Sequence, residues 1–393
     1  EIKSLQALGK RATKGTEQFW QPEAFVSNPR EGVAELQTAL SMAEPPRIIE
    51  GIDIAHLQGG EMVGSLVCFI DGVPFKDGYR RFRIKHRQGN NDVLSIQEVV
   101  SRDGFQSAAQ FIPSEDKIAL IDRLAQTGLA KIEVTSFTSP KAIPSLRDAE
   151  AVMRGIRRVP GVEYSVLVPN VKGCERALAC EVDEINLVMS ASDSHGVANL
   201  RMTAEQSLEQ FRQIIAVSQG SGVFINASLS TAFGCPFEGQ VAEARVHGLI
   251  QRLLDIGVQG VTLCDTTGMA DPAQVARICR EALARWPQTP FTLHFHNTRG
   301  MGLANALAAL DAGIDRFDAS LGGLGGCPYA PGASGNICSE DLVHMFQRMG
   351  LDTGVDLDKL LAAAATLPTL VGHPVPGAIL KAGKSDRRYA KAQ

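Results

Sequence analysis

Short apolar runs alternate with longer amphipathic stretches between residues 94 and 321. Thr203 and Gln206 form a capping-box pattern, and Asp271-Pro272 places a cap and a first-turn proline before an apolar stripe. Eight strand–helix units in about 280 residues predict an α/β fold, a (β/α)8 TIM barrel, with a doubly wound open sheet as the alternative. The eight predicted strands, rich in β-branched residues, are 94–100, 131–137, 163–169, 183–190, 222–230, 260–266, 291–297 and 316–321.

The first 92 residues have a different pattern. Residues 29–42 read as one helix, Pro45-Pro46 follows, and polar turns containing glycine separate the strand-like runs after it. These runs are 47–55, 62–70 and 79–85. The pattern predicts a small α+β appendage with a three-stranded antiparallel sheet at 1–92, followed by the barrel domain at 93–393.

Composition narrows the classes of protein. The 393 residues carry a net charge of -4, which argues against a nucleic-acid partner. We find no secretory signal and no apolar run of the roughly 20 residues that a membrane helix needs. The eight cysteines are scattered without a Cys-x-x-Cys pair, which is typical of reduced thiols. We therefore expect a cytoplasmic protein without a membrane partner.

Candidate ligands for a metal ion follow several of the predicted strands. His294 and His296 are two residues apart in a strand and so share a face, while Asp103 follows the first strand of the barrel. Each residue alone also fits a structural role. In a TIM barrel, however, the C-terminal strand ends meet at one rim, where Asn336 would add a neutral oxygen. This donor set suits octahedral Mg²⁺ or Mn²⁺, with Zn²⁺ as the second choice.

A glycine-rich loop follows the eighth strand, at residues 322–336. It contains six glycines, and its backbone can approach a ligand closely. Cys327 lies in its middle, before Pro328. A structural cysteine would normally be buried in a regular element, whereas a thiol on such a loop beside a cationic centre is suited to acid–base catalysis.

Several motifs resemble the 3-hydroxy-3-methylglutaryl-CoA lyase family over roughly residues 93 to 375. The loop sequence GGCPYAPGASGN is the most specific of them, whereas the RDG and HxHN motifs are shared with a wider superfamily of lyases and synthases. The other motifs are QEVVSRDGFQ (97–106), KIEVTSFTSPKAIP (131–144), VLVPNVKG (166–173), LSTAFGCPFEG (229–239), LCDTTGMADP (263–272) and LHFHNTRGMGLANALAAL (293–310).

The resemblance implies a role for each matching residue. Arg102 would hold the thioester carbonyl and stabilise an enolate, Gln106 would contact the acyl-CoA substrate, and Cys327 or His294 would act as the acid. The metal ligands would be Asp103, His294, His296 and Asn336. Ligand orientation or proton relay would fall to Glu98, Glu133 and Asp265. The implied reaction is a metal-dependent retro-Claisen cleavage of 3-hydroxy-3-methylglutaryl-CoA to acetyl-CoA and acetoacetate.

Two departures and one alternative accompany the resemblance. Residues 190–203 lack the lysine-containing segment of animal-type lyases, and we expect His195 there to be a solvated loop residue. Asn297 stands where an aspartate is common. The alternative enzyme is a condensing synthase of the same superfamily, of the isopropylmalate or homocitrate type.

The segment 48–85 resembles the start of the RNase H-like nuclease domain of the excinuclease C subunit. Asp53 matches the first metal-binding carboxylate of that nuclease, but one aspartate cannot assemble a two-metal site. We therefore expect residues 1–92 to be a truncated, non-catalytic segment, with a DNA-repair role as the alternative. An incomplete sheet leaves strand edges unpaired, and we expect these edges to pair with another chain, to dock on the barrel or to be poorly ordered. We also expect a homo-oligomer, with a dimer favoured.

Overall fold

The computed structural model describes residues 29–57, 61–71, 73–76, 80–83, 93–326 and 335–388. The chain divides into two compact units, Glu1–Asn90 and Asn91–Gln393. Within the described residues, no helix is long and apolar enough to cross a bilayer.

The N-terminal unit contains one helix and an antiparallel sheet, as the sequence predicts. Helix α1 (Pro29–Leu40) precedes β1 (Ile48–Leu57), which pairs along its length with β2 (Glu61–Ile70). The far edge of β2 pairs with β3 (Val73–Pro74) and with β4 (Arg80–Arg83). The antiparallel prediction is confirmed, and a short fourth strand is added to it.

Eight parallel strands close into a barrel, which confirms the TIM-barrel prediction and excludes the open sheet. Each strand pairs with the next one along the chain, and the eighth pairs with the first. The strands are β5 (Ser95–Glu98), β6 (Lys131–Ser136), β7 (Glu163–Leu167), β8 (Glu184–Ser190), β9 (Phe224–Ser230), β10 (Gly260–Asp265), β11 (Phe291–Phe295) and β12 (Arg316–Ala319).

Helices follow the strands, and two of the start signals read from the sequence are present. The capping box of Thr203 and Gln206 is present, and Asp271 accepts hydrogen bonds from the amides of Ala273 and Gln274. The helices are α2 (Ser114–Leu124), α3 (Ala149–Gly155), α4 (Val171–Leu178), α5 (Asp193–Leu200), α6 (Ala204–Ser218), α7 (Glu243–Asp255), α8 (Pro272–Arg285), α9 (Gly302–Asp311), α10 (Ser339–Arg348), α11 (Leu357–Ala364), α12 (Leu367–Val371) and α13 (Ala378–Ala382).

Most barrel strands are buried on both faces, but the two faces differ in polarity. Residues such as Ile132, Val134 and Leu293 belong to the apolar core. The interior of the barrel is polar instead, in contrast to the branched aliphatic side chains that usually fill it. A small internal cavity there is lined by Gln97, Glu133, Ser165, Asn186, Asn226 and Thr262, among others. The interior can therefore carry hydrogen bonds between strands.

Candidate active site

Three segments place the candidate ligands at the C-terminal rim of the barrel. A turn of π-helix, Val100–Gly104, follows β5 and carries Arg102 and Asp103. His294 lies in β11 and His296 directly after it. Residues 335–337 run beside this strand end, because the amide of Asn297 donates to the carbonyl of Gly335 (2.8 Å) and the amide of Ile337 donates to that of Phe295 (3.0 Å). Asn336 is thereby placed opposite His296.

The side chains of Asp103, His294 and His296 meet at one point. One ligand atom from each lies within 4.8 Å of the others, and the two imidazole Nε2 atoms are 3.1 Å apart. Neighbouring ligands of an octahedral ion at 2.0–2.1 Å are separated by about 2.9 Å, so the two imidazoles already have a spacing suited to a shared cation. The cluster can hold a metal ion.

Asn336 adds a further donor atom to this cluster. Its Nδ2 donates to Asp103 Oδ2 (2.6 Å) and to the carbonyl of Leu324 (2.9 Å). The opposite atom, Oδ1, is buried and has no hydrogen-bond partner among the described residues. A buried oxygen without a donor is costly unless a ligand satisfies it. The amide therefore fits the predicted role of a neutral oxygen ligand.

The charges around the cluster favour an ionised carboxylate. Burial of Asp103 opposes its ionisation, but Arg102 and the two histidines outweigh this and lower its pKa to about 2. Burial lowers the pKa of His296 to about 3, with a further contribution from His294, so this imidazole is neutral at physiological pH. A carboxylate and a neutral imidazole are the protonation states that a metal ion requires of its ligands.

Asp318 orients the other imidazole, and the sequence interpretation missed it. His294 Nδ1 lies 3.3 Å from Asp318 Oδ2. Burial alone would lower the pKa of His294, but the hydrogen bond and charge of Asp318 raise it. A carboxylate behind a ligating histidine fixes its tautomer and leaves Nε2 facing the ion. The one available signal was an acidic residue inside the apolar run 316–321.

Arg102 is held between two carboxylates. Its Nε donates to Glu133 Oε2 (2.5 Å), and its Nη1 donates to Asp103 Oδ1 (2.7 Å). Among the described residues its hydrogen bonds go through these two nitrogens, which leaves Nη2 for a ligand. The guanidinium side chain is 11% exposed, so a substrate oxygen could approach it from the rim.

Asp265 ends β10, the strand beside β11, and carries an unpaired oxygen. Its Oδ1 accepts from the amides of Met269 (2.8 Å) and Ala270 (3.1 Å), whereas Oδ2 is buried without a partner in the described part of the chain. Burial raises the pKa of this carboxyl to about 6, although the two amides oppose the rise. Such a group can take up a proton near neutral pH.

Glu98 connects the two loops that carry the ligands. Its carboxylate accepts from the amides of Val100 and Leu321 and from the hydroxyl of Ser339, and burial raises its pKa to about 8. The backbone carbonyl of Gln106 accepts a hydrogen bond from Ser145 Oγ (2.8 Å). Its predicted contact with a substrate stays a prediction. Cys327 lies outside the described residues, so its role as an acid stays a prediction.

The expectation for His195 is wrong. The residue is fully buried at the start of α5, where Ser192 caps the helix and accepts from the amide of His195. Its Nδ1 lies 3.1 Å from Ser190 Oγ, and burial lowers the pKa of the imidazole. The segment is short and polar, and the sequence therefore predicts a loop. In the structure Ser192 caps the segment and stabilises the first turn of a helix.

The fold and the cluster define a class of protein, a (β/α)8 barrel with a candidate metal centre at the ends of its strands. The HMGL-like family model matches residues 94–367, and the chain belongs to this family. The UvrC RNAse H endonuclease domain model matches residues 37–132. The second match agrees with the resemblance of the N-terminal segment and extends into a part of the chain that folds as barrel.

Two relatives are matched over almost their whole length. Hydroxymethylglutaryl-CoA lyase YngG of Bacillus subtilis is 46% identical over 292 residues, which are 74% of this chain and 98% of that protein. The (R)-citramalyl-CoA lyase of Chloroflexus aurantiacus is 40% identical over 302 residues, 74% of this chain and 95% of that protein. Because the chain is this similar to two carbon–carbon lyases, it is an enzyme of that class.

A solved structure gives the same result. The HMG-CoA lyase of Acinetobacter baumannii, in complex with coenzyme A and 3-methylmalate, superposes with a TM-score of 0.74 at 49% identity. The match covers 77% of this chain and 98% of that one.

Proposed function

We propose that this enzyme cleaves 3-hydroxy-3-methylglutaryl-CoA to acetyl-CoA and acetoacetate with the help of a divalent metal ion. The observation that carries the proposal is the convergence of Asp103, His294 and His296 with the unpaired amide oxygen of Asn336. The relatives named as hydroxymethylglutaryl-CoA lyases supply the substrate class.

The ligand chemistry favours Mg²⁺ or Mn²⁺ over Zn²⁺. A carboxylate, an amide oxygen and two imidazoles form a mixed set that leaves room for substrate oxygens in an octahedral arrangement. A bound ion would supply Lewis-acid polarisation of the substrate's 3-hydroxyl group. Asp103 contributes the negative charge, and Asp318 keeps His294 in the tautomer that ligation needs.

Protein side chains carry the charges and protons of the cleavage. Asp265 Oδ2 accepts the proton of the 3-hydroxyl group as the C2–C3 bond breaks and the C3 carbonyl of acetoacetate forms. The bonding electrons pass to acetyl-CoA as its enolate, whose oxygen is stabilised by Arg102. Cys327, or alternatively His294, donates a proton to C2 and completes acetyl-CoA. Gln106 contacts the substrate beside Arg102, while Glu98 and Glu133 hold the groups in position.

A second substrate, (R)-citramalyl-CoA, is favoured by the Chloroflexus relative. A screen of the purified chain against both thioesters and longer analogues distinguishes the two activities. The screen measures the release of acetyl-CoA from each thioester. We expect the highest kcat/KM with 3-hydroxy-3-methylglutaryl-CoA. A higher value with citramalyl-CoA would reassign the substrate, and consumption of acetyl-CoA in a condensation assay would favour the synthase.

The remaining proposals concern the N-terminal segment, the oligomeric state and the location of the enzyme. We propose that residues 1–92 form a non-catalytic segment fused to the lyase domain at 93–393, and that the enzyme forms a homodimer. A cytoplasmic location is supported by the seven free cysteines of the described residues. Gel shift with damaged duplex DNA at moderate salt tests the DNA-repair alternative, and we expect no binding.

A further inference from the structure

A series of buried polar side chains lies behind Arg102, inside the barrel. Glu133, which accepts from Arg102 Nε through Oε2, receives a second hydrogen bond on Oε1 from Asn186 Nδ2 (2.8 Å). Asn186 belongs to β8, two strands away from the β6 residue Glu133. Both side chains are almost completely buried. The carboxylate therefore joins the rim of the barrel to its interior.

The amide of Asn186 is fixed from both sides. Its Oδ1 accepts from Asn226 Nδ2 (3.1 Å) and from Ser228 Oγ (2.9 Å), two neighbours on β9. Asn226 Nδ2 also donates to Thr262 Oγ1 on β10 (2.9 Å). Because the carboxylate of Glu133, paired with Arg102, can only accept hydrogen bonds, Nδ2 of Asn186 must face it, and Oδ1 is left to accept from Asn226 and Ser228. The network thus joins side chains of β6, β8, β9 and β10 and ends at Arg102.

Precise placement of the guanidinium matters for the cleavage reaction. Two of its nitrogens are occupied by Glu133 and Asp103, so small rotations of Glu133 would swing the remaining nitrogen, Nη2, away from the position that an enolate oxygen would take. A carboxylate held by one partner alone can rotate, whereas one held on both oxygens cannot. The second bond, from Asn186, supplies this restraint.

We propose that Asn186 is a positioning residue for the cleavage reaction, and that it acts through Glu133 to aim Arg102 at the enolate oxygen. This inference rests on the proposed lyase function and adds to it a part of the barrel interior that does not touch the substrate. Asn226 and Ser228 serve the same purpose one step further away, by fixing the amide of Asn186.

The test is steady-state kinetics of the full chain carrying Asn186→Leu, a change of similar volume that removes both hydrogen-bonding groups. We expect kcat to fall about 10- to 100-fold, the range typical of partners one step removed from a site, with KM and metal affinity changed less than about threefold. Gln97→Met is the matched control: Gln97 lines the same cavity but donates to Thr292 Oγ1 and has no bond to Glu133. We expect it to retain the parent kcat.

A double-mutant cycle separates positioning from a general structural role. If Asn186 acts through Glu133, then Asn186→Leu should cost less than about twofold in kcat when it is added to Glu133→Ala. Losses that simply multiply would overturn the proposal, and so would a folded Asn186→Leu with the parent kcat. If that variant fails to fold, Ser228→Ala carries the test: a fall in kcat of about two- to fivefold supports the proposal, and an unchanged kcat overturns it.

A crystal structure of Asn186→Leu distinguishes this proposal from the proposed function. We expect the bond from Arg102 Nε to Glu133 Oε2 to be lost or displaced, whichever thioester the enzyme cleaves. An unchanged bond would overturn the positioning role while leaving the lyase assignment intact. Failure of the parent chain to cleave any of the thioesters would contradict the proposed function instead.

Discussion

Asp103 supplies the negative charge of the candidate metal centre. Because its pKa is lowered to about 2, the carboxylate is ionised throughout the physiological range. We expect Asp103→Asn to weaken binding of Mn²⁺ by at least about 100-fold, since a ligand contributes more than the 10- to 100-fold typical of its supporting partners. Titration calorimetry with Mn²⁺ measures the change.

Asp271→Asn is the control for this prediction. Asp271 caps α8 through Oδ1, and asparagine caps a helix as well as aspartate does, so its Mn²⁺ affinity should equal that of the parent. Unchanged affinity in Asp103→Asn would contradict the ligand assignment.

Cys327 tests the acid assigned to the glycine-rich loop. We expect Cys327→Ala to lower kcat by orders of magnitude while Mn²⁺ affinity stays nearly intact, because the thiol is predicted to donate a proton and not to bind the ion. Cys180→Ala, at a buried cysteine following α4, should keep the parent turnover. Equal losses of turnover and metal affinity in Cys327→Ala would contradict a role limited to catalysis.

Residue types at strand ends were predictable, but their supporting partners were not. Asp103, His294 and His296 stand out because polar side chains follow apolar runs, and parallel strands bring such ends together. Asn186 lies inside a strand buried on both faces, and Asp318 lies in a strand of only four residues, so sequence alternation does not show which residues face the interior. Their partners come from other strands, so the contacts exist only in the folded barrel.

Turns hold the ligand-bearing segments in place, and one of them depends on glycine. Gly325 has φ +96°, and a Cβ there would lie 2.6 Å from Asn336 Nδ2 and 2.8 Å from Asp103 Oδ2. We expect Gly325→Ala to push these two side chains apart and to lower Mn²⁺ affinity about tenfold or more. Calorimetry on the purified variant checks this.

Gly300→Ala separates backbone strain from the steric effect. Gly300 also has a positive φ, +72°, but a Cβ there would meet no atom within 4 Å. It should lose some thermal stability, as alanine does at positive φ, yet bind Mn²⁺ like the parent. Equal affinity in the two variants would contradict the proposed contact.

Strands were easier to predict than the short elements between them. All eight barrel strands lie within the apolar runs of the sequence, because length and β-branched residues distinguish them from the amphipathic helices. The π-helical turn at Val100–Gly104 and helix α5 were not predicted. Both are short and polar, and tertiary contacts such as those of Glu98 to Val100 and Leu321 stabilise the former.

The Bacillus relative corresponds to only part of this chain. The Bacillus relative is matched over 98% of its length by only 74% of this chain, so the barrel has counterparts that lack the N-terminal segment. We therefore expect a chain limited to residues 91–393 to fold and to cleave the thioester with kcat within about threefold of the parent. Activity lost in a folded barrel would contradict the proposal that residues 1–92 are non-catalytic.

The metal dependence of acetyl-CoA release from 3-hydroxy-3-methylglutaryl-CoA tests the central claim most directly. The measurement compares the chelator-treated chain with the same sample after addition of Mg²⁺ or Mn²⁺. We expect turnover to be nearly abolished by the chelator and restored by either ion, with acetoacetate formed in equal amount. Full turnover in the chelated enzyme, or no acetyl-CoA with any added ion, would contradict the account.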